Sequence, residues 1–432
     1  MRSTIWAGAR QSCDVGTPSY DGGMPGEHRS AALAGAPDGV VSVEAAGDDP
    51  AAEAAEAAEV VVIGGGVAGC ATAYYLAAAG VDVLLLEQYD LNTQASGRNA
   101  GSLHGQIQFP SFVEYGSDWA RDFLPALRML VDSLAMWDGL SAELGVDLEV
   151  SRKGGVLVAE TDQQLRRVAA KAELEQRAGF DAQVLSASEL QQLAPYVAPR
   201  MAGGLYASVE GKANPLLAAP AFAAAALRLG ARLRTRVTVT SLDGGNRRYR
   251  LSTSRGPVHC RAVVCAAGAN TSALGALVGA RLPVTDEPVQ VNVTEAVAPL
   301  VPHLVYFAGD KLTLKQARSG SLLIGGGWPA RSGPDGSPIV DPDSVRANLA
   351  VAMRVVPAVA RAQLLRTWVG VGAGTPDLRP LLGEAPGRPG LFFGLFPHMG
   401  LTAGPILGRV LADLVRFGST DRDLTSFALD RF

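Results

Sequence analysis

The stretch from Glu59 to Glu87 limits the fold of this chain more than any other segment. EVVVIGG is a short β-branched run ending in glycines, and it reads as a fully buried strand. VAGCATAYYLAAAG has the length and alanine content of a helix closed by Gly80. VDVLLLE reads as a second buried strand. Strand, helix and strand with short joints form the βαβ unit of a parallel sheet. The turn between the first strand and the helix, residues 64 to 69, fits the pattern GxGxxG. Gly64 makes the tight turn, Gly66 lets the backbone approach a pyrophosphate, and Gly69 lets the helix pack close to the strand. The helix start at Val67 and Ala68 offers free N–H groups to the phosphates. With 50 glycines in the chain such a pattern arises by chance. Here a strand precedes it, a helix follows, and Glu87 ends the second strand where an acid binds a ribose diol. A diol excludes NADP and leaves FAD or NAD. More than three hundred residues follow, which favours a flavoprotein.

The 432 residues are 48% hydrophobic, enough for a sizeable core and more than one lobe. A formal net charge of −4 without a long basic run argues against a nucleic-acid partner and against strong attraction to anionic lipid. Cys13, Cys70, Cys260 and Cys265 form no CxxC pair. They read as free thiols in a reducing compartment, and no His/Cys spacing suggests a metal. MRSTIWAGARQS lacks the apolar core of a signal peptide, and no apolar run is long enough to span a bilayer. A cytoplasmic protein without a transmembrane segment is expected. Residues 1–57 end in DDPAAEAAEAAE and have little apolar surface to offset their ordering entropy, so they read as a disordered tail.

Further along, residues 118 to 144 read as an amphipathic helix with a break near Pro125. GGVLVAE reads as a strand, and DQQLRRVAAKAELEQRAG as a helix with a charged, exposed face. Residues 216 to 229 form an alanine-rich helix, ARLRTRVTVTSL a strand, and CRAVVCAAGANT a buried strand ending in a glycine turn. Residues 283 to 328 alternate as in an antiparallel sheet, and a final helix runs over about 403 to 416.

After Glu87 comes NTQASGRNAGSLHGQ, a Gly/Ser/Asn loop. Then follow, in order, EGKANPLLAAPAFAAAA, RVTVTSL, VVCAAGANT, SLLIGGGWP, GTPDLRPLLGEAP and PHMGLTAGPILGRVLADLV. This series resembles the D-amino-acid-oxidase-like superfamily of FAD-dependent oxidoreductases, with glycine and sarcosine oxidases among its members. SGRNAGSLH, EGKANPLL and GLTAGP look nearest to the flavin subunits of opine oxidases, hydrogen cyanide synthase and hydroxyproline dehydrogenase. The resemblance covers nearly everything from residue 59 onward.

It implies that Ser96, Arg98, Asn99, Gly101 and Ser102 lie in a loop passing the pyrophosphate and the flavin ring. Val237 would meet the adenine through its backbone, and Ala267 and Gly268 would close over the cofactor. Gly400, Leu401 and Thr402 would open the last helix at the pyrimidine edge of the ring, with Thr402 as cap and Pro405 in the first turn. Negative charge reaching the ring with two electrons would be stabilised by that helix end. His104 would sit beside the ring, to take a proton from a substrate ammonium or to adjust the flavin, unless it is an ordinary structural histidine. His398 has the same alternatives. Asp377 would bond backbone or ribityl groups, or serve as a turn residue.

An amino-acid carboxylate calls for a bidentate arginine. Sarcosine oxidase has an arginine and a lysine where this chain has Ser111 and Thr402, and Leu323 replaces the lysine linked with oxygen activation there. Arg379, Lys315 and Arg318 remain as candidate anchors, with Arg379 placed among the catalytic residues. Gly370 stands where the covalent-flavin cysteine would be, so FAD is expected to be non-covalent.

The expected fold is α/β and α+β: a Rossmann-type FAD-binding domain interleaved with an antiparallel-sheet substrate domain. The FAD-binding parts are 58–145, 205–285 and 366–432, and the substrate parts are 146–204 and 286–365. The expected reaction is hydride transfer from the carbon bearing a small amine or amino acid to flavin N5, giving an imine. O2 or another acceptor then takes the electrons. The alternatives are a flavin-binding electron-transfer subunit of a hetero-oligomeric complex, working with partner subunits, and an NAD-dependent reductase.

Overall fold

The βαβ unit forms as its sequence demands. Val60–Ile63 and Val83–Leu86 are buried at every position and pair in parallel. Between them runs the helix Val67–Ala78, ended by Gly80 at φ +78°. The protein is described from a computed structural model, over residues 56–432.

Six strands make the first sheet. Their spatial order is Leu381–Glu384, Leu391–Leu395, Ala262–Cys265, Val60–Ile63, Val83–Leu86 and Arg232–Arg234. All pairs are parallel except the hairpin of the first two. The four inner strands are apolar on both faces because both faces are covered. Val60, Val62, Val83 and Leu85 share a core with the helices Val67–Ala78, Pro215–Arg228 and Gly400–Phe417. Val61, Ile63, Leu84 and Leu86 face a second core with Leu242, Leu251 and Val258.

That second cover departs from the sequence reading. Val239–Gly245, Arg248–Thr253 and Gly256–Cys260 form an antiparallel meander, joined by Glu56–Ala57 in a sheet of its own. ARLRTRVTVTSL is therefore two strands, broken where Arg236 adopts φ +57°. The expected disordered tail lies outside the described residues up to 55, but Glu56 and Ala57 pair with Val258 and His259 and so belong to the fold. The helix expected over 118 to 144 spans Phe109–Leu144, with its non-helical kink at Gly116 (φ 81°) while Pro125 is tolerated inside.

The second sheet has eight strands, in the order Leu364–Gly374, Thr285–Ala296, Ser321–Gly325, Thr313–Gln316, Leu304–Phe307, Gly155–Ala159, Gly203–Ala207 and Gln183–Ser186. It is antiparallel except where Leu304–Phe307 runs parallel to Gly155–Ala159. Two of its strands, Gly203–Ala207 and Leu364–Gly374, cross the boundaries expected at 204/205 and 365/366. One face packs on Leu190, Ala352 and Val355 of the helices Ala187–Leu193 and Pro342–Val355. Among the described residues no helix is long and apolar enough to cross a membrane.

Candidate functional site

A cavity of about 790 Å³ runs from the carboxyl ends of the parallel strands to the second sheet. Ligand sites in open α/β sheets lie at those strand ends, and this volume is in their usual range. Ile63, Gly64, Leu86, Glu87 and Ala266 line one end, and Leu157, Val291, Tyr306 and Thr313 line the other.

The glycine turn is sterically closed to side chains. Gly64 adopts φ +114°, and a Cβ there would lie 2.4 Å from the Ala266 carbonyl oxygen. A Cβ on Gly69 would lie 1.9 Å from the Gly64 carbonyl oxygen. Glu87 is held at its strand end by two donors, Gly65 N–H to Oε2 at 2.5 Å and Tyr89 N–H to Oε1 at 2.8 Å. It faces the cavity with acceptor capacity to spare. Ser96 Oγ accepts from Val67 N–H at 3.0 Å, which places the loop over the helix N-terminus.

The loop folds on its own polar groups. Asn99 Oδ1 accepts from Gly101 N–H at 2.8 Å, and its amide nitrogen donates to the Ser96 carbonyl. Arg98 Nε donates to the Thr93 carbonyl at 2.7 Å. Ser96, Arg98, Asn99, Ser102, Val237, Ala267 and Gly268 all line the cavity, as do Gly66, Val67 and Ala68. Gly69, Gly101 and Thr402 do not. Gly69 and Gly101 act instead through backbone approach, since a Cβ on Gly101 would meet the Ala213 carbonyl oxygen at 2.3 Å. Val237 donates its N–H to the Glu87 carbonyl at 2.9 Å.

The last helix spans Gly400–Phe417 and brings Gly400 and Leu401 to the cavity. Its first intrahelical bond is Ala403 N–H to the Met399 carbonyl, so the preceding N–H groups are free to face a ligand. The expected cap is corrected: Met399 precedes the helix without a side-chain cap. Thr402 is already inside, and its Oγ1 accepts from His104 N–H at 2.9 Å. Pro405 also lies beyond the first turn.

His104 lines the cavity, and its Nδ1 shares a 2.8 Å hydrogen bond with the Tyr306 hydroxyl. Tyr306 in turn donates to Glu210 Oε1 at 2.9 Å. Burial, with Lys315 nearby, pushes the His104 pKa down to about 3, so the imidazole stays neutral. His398 also lines the cavity, 3.4 Å from Glu287. Burial lowers its pKa and Glu287 opposes the shift.

The candidate anchors are placed elsewhere. Arg379 is not a cavity residue: its guanidinium donates to Asp377 at 2.9 Å, and Arg431 binds the same carboxylate. Asp377 thus ties the C-terminal residues down. Arg318 pairs with Asp147 at the surface. Lys315 is buried, 2.6 Å from Ser102 Oγ and outside the cavity lining. It is the cross-strand partner of Leu323.

Sequence reasoning missed Tyr306 and Glu210, and with them Gln106, Lys171 and Glu175. Glu210 accepts from Gly105 N–H at 2.7 Å and from the Gln106 amide at 2.8 Å. Gln106 accepts from Lys171, which is salt-bridged to Glu175 at 2.8 Å. The helix Asp162–Arg177, read as having a charged, exposed face, buries this charged pair on its other face at 0% and 1% exposure. The available signal was periodicity, since Val168, Lys171, Ala172 and Glu175 are one face at i, i+3, i+4 and i+7.

A glycine-lined strand end, a carboxylate at the end of the next strand and a helix N-terminus at the far side of one cavity define a flavin-type dinucleotide-binding oxidoreductase. Residues 59–414 match the family model of FAD dependent oxidoreductases, and the chain belongs to that family. It is 29% identical over 375 residues to glycine oxidase of Geobacillus kaustophilus, covering 85% of this chain and 95% of that one. It is 28% identical to one of the subunits of opine oxidase from Rhizobium meliloti, covering 85% and 96%. The crystal structure of the Geobacillus glycine oxidase superposes with a TM-score of 0.77 at 28% identity, covering 87% of this chain and 99% of that one. The residues present fit FAD: a glycine turn that admits no side chain at Gly64, a carboxylate and free N–H groups bound the same cavity.

Proposed function

We propose that this protein oxidises the C–N bond of a small amine or amino acid to an imine, with FAD held non-covalently. One observation carries the reading: a continuous cavity joins the dinucleotide turn to the partly buried His104–Tyr306 pair and the start of the last helix. Bound FAD supplies the two-electron acceptor. The chain supplies the rest. Gly64, Gly66 and Glu87 hold the nucleotide end, and the N–H groups opening the last helix stabilise negative charge at the other. The walls of the second sheet exclude water and orient the amine. No cysteine among the described residues lines the cavity, in keeping with a non-covalent flavin. The buried free thiols also suit a reducing compartment, and we read the protein as cytoplasmic.

Mixing the purified yellow protein anaerobically with glycine, sarcosine or an opine tests this. Loss of flavin absorbance with one of them, followed by recovery with O2 or an artificial acceptor, is the expected result. A flavin that stays oxidised with every amine, yet bleaches with dithionite, overturns it. The second reading, a flavin protein that relays electrons within a complex, draws on the opine oxidase relative, which is named as one subunit of its enzyme. Bleaching by an amine that requires an added partner chain would favour that reading.

A further inference from the structure

We infer that Glu210, reached through Tyr306 and His104, is the acceptor for the proton that leaves the substrate ammonium. The inference rests on the amine reading above and assigns the proton path within it. The three groups form an unbroken chain, His104 Nδ1 to Tyr306 Oη at 2.8 Å and Tyr306 O–H to Glu210 Oε1 at 2.9 Å. His104 and Tyr306 line the cavity and Glu210 does not, so the chain leads from the substrate space into the protein. Because the one hydroxyl proton goes to Glu210, Nδ1 carries a proton and donates it to Tyr306. Nε2, which has no hydrogen-bond partner among the described residues, is then the ring's basic atom.

The transfer leaves no charge along the way. The ammonium N–H bond breaks as an Nε2–H bond forms. The Nδ1 proton passes to Tyr306 Oη, whose own proton passes to Glu210 Oε1. The histidine ends as the other neutral tautomer, the tyrosine ends unchanged, and the carboxylate ends as a neutral acid. His104 is a poor resting place for the charge, and burial with the adjacent Glu210 holds the Tyr306 phenol far above its ordinary range. Glu210 is the group tuned to neutrality: burial pushes its pKa up to about 7. Donors from Gly105, Gln106 and Tyr306 and the charge of Lys171 restrain that rise. The other charged group behind it, Glu175, is already paired with Lys171. Lys315 stands on the His104 side and pairs with Ser102. The packing reserves the place for this carboxylate, since a Cβ on Gly155 of the neighbouring strand would lie 1.7 Å from its Oε2.

The test uses the FAD-loaded protein with glycine and sarcosine as probes. The anaerobic rate of flavin reduction should rise with pH through an inflection near 7 in the unaltered protein. Tyr306→Phe and Glu210→Gln should each lose that inflection and slow by about 10²-fold at neutral pH, with flavin still bound. Infrared difference spectra supply a readout independent of turnover. A protonated-carboxyl C=O band should titrate near 7, grow when sarcosine reduces the flavin, and vanish in Glu210→Gln. If Glu210→Gln does not fold, Tyr306→Phe decides the matter, because it removes one hydroxyl and keeps the ring. Bleaching with the inflection unmoved in Tyr306→Phe, or no such band, overturns the relay and leaves the amine reading standing. No bleaching by any amine overturns the amine reading, and the relay with it.

Discussion

At Gly69 the family fingerprint is a matter of single atoms. The Cβ of an alanine there would sit 1.9 Å from the Gly64 carbonyl oxygen, and both partners are backbone, so neither can swing aside. Gly80, which ends the same helix, has nothing within 4 Å of its would-be Cβ and only a positive φ to satisfy. The two glycines therefore separate packing from backbone strain. Gly80→Ala should cost about 1–3 kcal/mol and keep its flavin. Gly69→Ala pushes the helix off the strand, at a cost of about 1–3 kcal/mol or more, and misaligns the cavity-lining start of the helix. Flavin absorbance per mole of protein after desalting should fall for Gly69→Ala alone. Equal flavin content in the two variants would refute the close-packing role.

Between elements, the join that matters is the last helix against the loop after Asn99. Thr402 Oγ1 accepts His104 N–H, while the Thr402 carbonyl takes Ser133 Oγ at 2.6 Å and Trp137 Nε1 at 3.0 Å. One residue thus ties the helix, the loop and the long helix Phe109–Leu144 together. Thr402→Val keeps the shape and strands the His104 N–H, a loss of about 1–3 kcal/mol, whereas Thr402→Ser keeps the acceptor. The valine variant should melt lower than the serine variant and reduce more slowly with amine; indistinguishable melting curves would count against the tie. This junction also marks the limit of what the sequence disclosed. The glycine turn was legible because its requirements are local, and Glu87 follows it at a fixed spacing. That His104 and Gly400 lie at the cavity was legible only through resemblance. Tyr306 and Glu210 meet because Leu304–Phe307 pairs in parallel with Gly155–Ala159, which pairs with Gly203–Ala207. No local pattern announces such a parallel insertion in an antiparallel sheet. Arg379 went astray for a related reason, since its partner Asp377 is completed by Arg431 from the far end of the chain.

Across the whole molecule, two buried groups make folding depend on pH in opposite senses. Glu210 has its folded pKa raised to about 7, so its contribution is present at low pH and lost as pH rises toward 7. Lys315 has its folded pKa lowered to about 7, chiefly by burial and further by Lys212. Between that value and about 10.4 the unfolded chain holds a proton that the folded chain has released. Stability from this group therefore rises with pH through the window and is flat below it. Lys315→Met removes the linkage while keeping the volume close, and Glu210 is common to both proteins. The difference in unfolding free energy between the parent and this variant should change by about 1.4 kcal/mol per pH unit above 7, in the parent's favour as pH rises. Below 7 it should be constant. Urea unfolding at a series of pH values measures it directly. Curves that stay parallel from acid to alkaline pH would mean that Lys315 keeps its charge in the folded protein, and that Ser102 sits beside an ammonium rather than an amine.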